Sequence, residues 1–244
     1  MRSTWLYHVT RASRPLFSLC WRMRLSGEID SIPKTGPAIV AANHSSFVDP
    51  WFLGPFLFPR RIRFLITRLW YDKSPVWNFV FRSYDTIPME RHAGATLDVA
   101  RVALDAGDVV GIFPEGRISH DGRIQRFRSG VCYLAARTGA PVIPIGIRGA
   151  YESLPRDRKL PKRGKVTVRV GSPLSFPGSP RDGNIPKQDV REFRDRLFAE
   201  ICRLAGQEDA LAEMTGRASA RSRSTSADAR PEDPAPNAPL PAAD

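Results

Sequence analysis

Ala38-Ile39-Val40-Ala41-Ala42-Asn43-His44-Ser45-Ser46-Phe47-Val48-Asp49-Pro50 is the stretch on which the reading of this chain turns. Its first five residues are small or branched and carry no polar group, as a short strand buried on both faces requires. His44 and Asp49 follow at once, with the spacing H-x4-D. On one continuous helix, five residues turn through about 500° and would set the pair on different faces. The two meet only if His44 leaves the strand in a loop and Asp49 lies near the start of a helix. Pro50 suits such a start. In that arrangement a carboxylate fixes the tautomer of the imidazole and stabilises the cation formed when the ring takes a proton. Asp49 before Pro50 is equally an ordinary helix N-cap, so this stretch by itself leaves both readings open.

Working outward, further apolar runs of strand length occupy 62–66, 109–113, 142–147 and 165–170. Helical periodicity covers 93–106, where it is partial, then 130–138, ended by Gly139, and 190–204, where Phe193, Leu197, Ile201 and Leu204 share a face. Strands alternating with helices predict an α/β fold: a single domain with a largely parallel mixed sheet flanked by helices, over residues 27–205. Residues 1–26 are expected to form N-terminal amphipathic helices at the membrane interface. This segment holds five arginines and no acid, together with Trp5, Phe17 and Trp21. Leu16, Leu19, Cys20 and Met23 repeat at i, i+3, i+4, i+7 and predict a helix begun at Pro15. Such a face suits a membrane interface or the protein's own core equally. Residues 206–244 are rich in Ala, Ser, Arg and Pro and predict a disordered tail.

The formal net charge is +12, from 37 basic and 25 acidic residues in a chain of 244. That excess points to an anionic partner: a membrane, a phosphorylated substrate or nucleic acid. No nucleic-acid-binding module is recognisable, so nucleic acid is not expected. The three cysteines, Cys20, Cys132 and Cys202, are widely spaced and lack a C-x-x-C pair, which argues against a disulfide framework or a cysteine zinc site. No metal-ligand cluster is apparent and none is expected. No run approaches the ~18 apolar residues of a membrane span, and residues 1–10 lack a secretory signal. The expectation is therefore peripheral or monotopic attachment on the cytoplasmic face of the cell membrane, with anionic lipids as partners.

Three more segments add to the first. They are Ile87-Pro88-Met89-Glu90-Arg91, Phe113-Pro114-Glu115-Gly116-Arg117-Ile118-Ser119 and Pro141-Val142-Ile143-Pro144-Ile145. With Asn43-His44 and Asp49 they form four blocks whose content and order resemble the 1-acylglycerol-3-phosphate acyltransferase family, and its glycerolipid acyltransferase relatives, over roughly residues 20–205. One H-x4-D alone is weak; four blocks in order are specific. Many members read E-G-T-R-S in the third block, where this chain has Glu115-Gly116-Arg117-Ile118-Ser119 with arginine one position earlier, and the glycine often found ahead of the second block is missing.

The resemblance implies an acyl donor that is a coenzyme A or acyl-carrier-protein thioester, no bound cofactor, and a lysophospholipid acceptor, lysophosphatidate acylated at its 2-hydroxyl. The alternatives are a related acyltransferase with another lysolipid or glycerol 3-phosphate as acceptor, and a catalytically inactive basic membrane-binding protein on the same fold. By the same resemblance His44 is the general base and Asp49 its orienting partner. Arg91 and Arg117 bind the acceptor phosphate, Gly116 lets backbone approach the ligand, and Glu115 holds Arg117 or a glycerol hydroxyl. Of the residues left over, the apolar run 51–58 suits core packing better than an acyl tunnel. The basic loop 156–165 suits lipid head groups, donor phosphates, an acidic carrier or plain solvent.

Overall fold

Every side chain of the strand Ala38–Ala42 is buried, and the sheet is built around it. The computed structural model describes residues 5–13, 15, 18, 21–57, 60–90, 93–155, 158, 162–178 and 184–213. In chain order the elements begin with α1 (Trp5–Ala12), β1 (Arg24–Gly27), β2 (Ala38–Ala42), α2 (Asp49–Leu57) and β3 (Ile62–Thr67). Next come α3 (Arg68–Asp72), α4 (Pro75–Ser83), β4 (Ile87–Met89), α5 (Ala93–Asp105) and β5 (Val109–Ile112). The series ends with α6 (Gly130–Thr138), β6 (Val142–Arg148), α7 (Ala150–Ser153), β7 (Thr167–Val170) and α8 (Lys187–Ala205).

Among the described residues seven strands form one sheet, in the order β1-β7-β6-β2-β5-β3-β4. β2 lies between β5 and β6 and runs parallel to both. Among the described strands only the β6–β7 pair is antiparallel. This is the predicted α/β domain with a largely parallel mixed sheet. Its central strands are apolar without alternation because helices cover both faces. Phe52 and Leu53 of α2 pack on one face with Val40, Ala42, Ile145, Ile147 and Val168. On the other lie the buried Leu134 of α6 and Phe193, Leu197 and Ile201 of α8. α6 stops at Gly139 and α8 at Gly206, both left-handed (φ 66° and 69°), a backbone conformation glycine adopts without penalty.

Two expectations change, and two helices escape the sequence reading. Residues 21–25 do not continue a helix. Trp21 bridges to Gly164, and β1 pairs in parallel with β7. Trp21, Met23 and Leu25 alternate as well as any strand, and the open edge of β7 supplies hydrogen-bond partners that a helix would leave unused. All three pack against the core cluster, so the domain takes in β1 and a boundary at residue 26 cuts through a strand. Leu16, Phe17, Leu19 and Cys20 lie outside the described residues. The tail also begins later than 206. Gln207 accepts the Ile124 N–H at 2.8 Å and donates to the Gly122 carbonyl at 2.9 Å, and Ala210 is buried. Side-chain partners elsewhere in the fold order a segment whose own composition is not apolar enough to do so. Lastly, α3 and α4 escape a reading based on strand and helix periods. Ser74, whose hydroxyl accepts the Trp77 N–H, and Pro75 nevertheless mark the start of α4. No described helix is long and apolar enough to cross a membrane.

Gly146 shows how tightly α8 lies on the sheet, since a Cβ there would stand 2.3 Å from the backbone nitrogen of Ala205. Backbone cannot yield as a side chain does. Gly146→Ala should therefore cost about 1–3 kcal/mol or more, read as a lowered urea midpoint. An unchanged midpoint would mean that α8 is free to lift away.

Candidate active site

The chain leaves β2 at Ala42 and crosses the end of the sheet before α2 begins. Asn43, buried, clamps this crossing. Its amide nitrogen donates to the Ile147 carbonyl at 2.9 Å, and its oxygen accepts the Ile147 N–H at 2.7 Å. Ser46 Oγ donates to the Leu154 carbonyl at 2.7 Å. The His44 carbonyl accepts the Ser119 N–H at 2.8 Å. The loop is thus tied both to the end of β6 and to the segment that follows β5.

His44 Nδ1 lies 2.9 Å from Asp49 Oδ2. That oxygen also accepts the backbone N–H groups of Ser45 and Ser46, each at 2.8 Å. An oxygen taking two N–H donors is an acceptor, so the ring proton sits on Nδ1 and leaves Nε2 with its lone pair. Asp49 is wholly buried, and its Oδ1 has no hydrogen-bond partner. Burial pushes its carboxyl above the usual range, while the His44 and backbone hydrogen bonds pull it back. The imidazole stacks on Phe113 with centroids 3.9 Å apart and planes at 15°. Phe113 in turn stacks on Phe64 of β3. The ring is therefore held at one edge and one face, and its side chain remains 15% exposed.

Glu115 differs from its expected role beside the ligand. Its side chain turns inward, and the residue is 4% exposed. Oε1 accepts the His44 N–H at 2.7 Å and Oε2 accepts the Gln125 N–H at 2.9 Å. Both oxygens accept backbone N–H groups, and the carboxyl forms no hydrogen bond or ion pair with Arg117. Burial pushes it up to about 8, against the pull of those two N–H groups. Gly116 is left-handed (φ 71°), and a Cβ there would meet Arg128 Nε at 2.8 Å. The turn exposes both Gly116 and Arg117, and Arg128 lies exposed alongside. Two guanidinium groups thus stand at the Gly116 turn, where the sequence singled out one. Arg91 lies outside the described residues.

Beyond the loop, Phe47 packs against Trp51 and Trp77 at 5.6 Å and against Trp70 at 5.0 Å between centroids. These rings bring α3 and α4 against the residue three positions past His44. Among the described residues no group of three or more His, Cys, Asp or Glu side chains is placed to hold a metal.

A family model described as Acyltransferase matches residues 24–148, just over half of the chain. The chain belongs to the acyltransferase family. It is 26% identical over 148 residues to the 1-acyl-sn-glycerol-3-phosphate acyltransferase of Bacillus subtilis (strain 168), covering 59% of this chain and 70% of that protein. It is 29% identical over 177 residues to 1-acyl-sn-glycerol-3-phosphate acyltransferase alpha of Mus musculus, covering 69% of this chain and 61% of that one. The crystal structure of the 1-acyl-sn-glycerophosphate (LPA) acyltransferase PlsC from Thermotoga maritima superposes with a TM-score of 0.67 at 24% identity, over 84% of this chain and 80% of that one. At that identity the likeness is one of fold.

In this acyltransferase the four blocks supply His44, Asp49, Glu115 and Gly116 as quoted, but the residues that set the ring are only partly legible in them. Phe113 stands in the third block without any polar signal of its role. Asn43 stands in the first, where only its burial reveals the clamp. Gln125 and Arg128 belong to no block, and nothing in the sequence singles them out.

Glu115 makes stability depend on pH in a defined direction. Between its ordinary value of 4.5 and about 8, the folded chain keeps a proton that the unfolded chain has released. Stability from this group is therefore greatest below that window and falls as pH rises through it. Glu115→Gln should flatten this part of the pH profile of the urea midpoint. An unaltered slope would place the titrating group elsewhere.

Proposed function

We propose that the chain transfers a fatty acyl group from a thioester to the 2-hydroxyl of 1-acylglycerol 3-phosphate, giving phosphatidate for phospholipid synthesis. The observation that carries this reading is the His44–Asp49 pair, which leaves one imidazole nitrogen free beside a turn that presents arginines. His44 Nε2 takes the proton of the acceptor hydroxyl as its oxygen bonds to the thioester carbonyl carbon. Asp49 Oδ2 stabilises the resulting imidazolium through Nδ1–H. Collapse of the tetrahedral intermediate re-forms the carbonyl and breaks the C–S bond, and the imidazolium proton goes to the departing sulfur. No protein nucleophile, metal or bound cofactor is called on. Arg117 and Arg128, and Arg91 by resemblance, supply the planar forks that match phosphate oxygens. The named relatives support this acceptor. The donor is a coenzyme A or acyl-carrier-protein thioester.

The acceptor is a lipid, so the site must meet a bilayer surface. Leu69 (79% exposed), Val76 (69%) and Phe79 (50%) project from α3 and α4, and Val9 (51%) projects from α1. Lys73 lies 4.3 Å above the Trp70 ring among them. Exposed apolar side chains beside cations suit peripheral contact with anionic lipid. Through Phe47 the same helices rest on the His44 loop, which would open the site towards the leaflet.

His44→Ala should lower the turnover number by roughly 10²–10⁴-fold with the folded far-UV spectrum unchanged, and a folded variant of near-normal turnover would remove the mechanism. Asp49→Asn should reduce the turnover number more than it raises the acceptor KM, since the carboxylate matters most when the ring is charged. For membrane contact, the combined Leu69→Ser, Val76→Ser, Phe79→Ser variant should float poorly with anionic vesicles, where the parent protein floats well. Equal flotation would move the contact to another face.

A further inference from the structure

Arg148 follows Ile147, the residue that Asn43 grips, so the end of β6 stands directly beside the His44 loop. Arg148, Glu152, Lys162, Arg163, Lys165 and Arg169 line a cavity of about 430 Å³ there. All six are exposed. Five are cations facing one acid, and none of the five forms an ion pair with a described residue. The neighbouring carboxylate on α8, Glu200, is engaged by Arg203 at 2.6 Å. The segment that carries three of these cations is pinned rather than free. Ser153 Oγ and Trp21 Nε1 each donate to the Lys162 carbonyl at 3.0 Å. Gly149 (φ 88°) lies so close to the Lys165 carbonyl that a Cβ would stand 2.0 Å from it. Cations fixed around a concavity repel one another, and an anion with several charges relieves that repulsion.

We propose that this cavity binds the phosphate groups of the acyl donor, the diphosphate and ribose phosphate of a coenzyme A thioester. The inference rests on the acyl-transfer reading of His44. Sheet order favours the donor over the acceptor as the source of those phosphates. β2 has β5 on one side and β6 on the other. The Gly116 turn, with Arg117 and Arg128, follows β5, whereas the cavity follows β6. His44, which follows β2, stands between the two, so an acceptor hydroxyl and a donor carbonyl approach it from opposite sides. A cavity with cations around its wall suits a compact polyanion better than the convex acidic face of a carrier protein.

The test compares acyl-CoA with the matching acyl-pantetheine, which keeps the acyl group and thioester but lacks every phosphate. In the Arg163→Ala, Lys165→Ala double variant the KM for acyl-CoA should rise about tenfold or more, while the KM for acyl-pantetheine holds. The exchange Arg163→Lys with Lys165→Arg should restore most of the acyl-CoA affinity. Calorimetric titration with coenzyme A alone, which needs no turnover, should show the same weakening. Equal loss on both donors, or unchanged coenzyme A binding, would overturn the proposal. A defect seen only with an acyl-carrier-protein donor would also overturn it, by assigning the cavity to a protein surface. If neither thioester supports transfer by the parent protein while coenzyme A still binds through these residues, the acyl-transfer reading fails and the phosphate site stands.

Discussion

A single atom, Oδ2 of Asp49, holds the site in shape. It accepts the His44 ring N–H and the backbone N–H groups of Ser45 and Ser46. A buried carboxyl is costly unless donors surround it, and removing one partner leaves the others facing an unsatisfied charge. The arrangement therefore behaves as a unit: the loop bends so that three donors converge, and the convergence orients the ring. An N-cap carboxylate reaches forward to the N–H groups of the helix it precedes. Asp49 is instead the first residue of α2, and its bonds run backward into the loop. That direction separates an orienting carboxylate from an ordinary cap.

A second buried acid extends the same construction across the sheet. Glu115 joins the loop after β2 to the segment after β5 by accepting one backbone N–H from each. A carboxylate beside a bound phosphate would repel it. Turned inward and pushed up to about 8, Glu115 carries less negative charge near pH 7 than an ordinary carboxyl and leaves the outward face of the turn to Arg117 and Arg128. The acid and the arginine, two residues apart in sequence, thus serve opposite surfaces of one turn. The left-handed Gly116 between them makes that division possible.

The position of β2 gives these local devices their reach. A central strand in a parallel sheet has a neighbour on each side, and the loops at the ends of all three strands emerge at one edge. The loop after β5 and the loop after β6 therefore flank His44, and each carries basic residues. Stacking on Phe113 brings the β5 side to the ring, and the Asn43 clamp brings the β6 side.

By itself the sequence determined the fold class, the central strands and the helices 93–105, 130–138 and 187–205 to within a few residues, and it offered His44 and Asp49 as a candidate pair. These follow from periodicity, from glycine and proline punctuation, and from a spacing that only a loop entering a helix can close. The tertiary structure decided what depends on partners far along the chain. Trp21 to Gly27 alternates as a strand and repeats as a helix, and only the open edge of β7 selects the strand. Glu115 faces inward because the N–H groups of His44 and Gln125 converge there, 71 residues before it and 10 after. Phe113 and Asn43 become positioning groups only once β2, β5 and β6 are side by side. Hydrophobic pattern is a property of neighbours in sequence, whereas the satisfaction of a buried polar group is a property of neighbours in space.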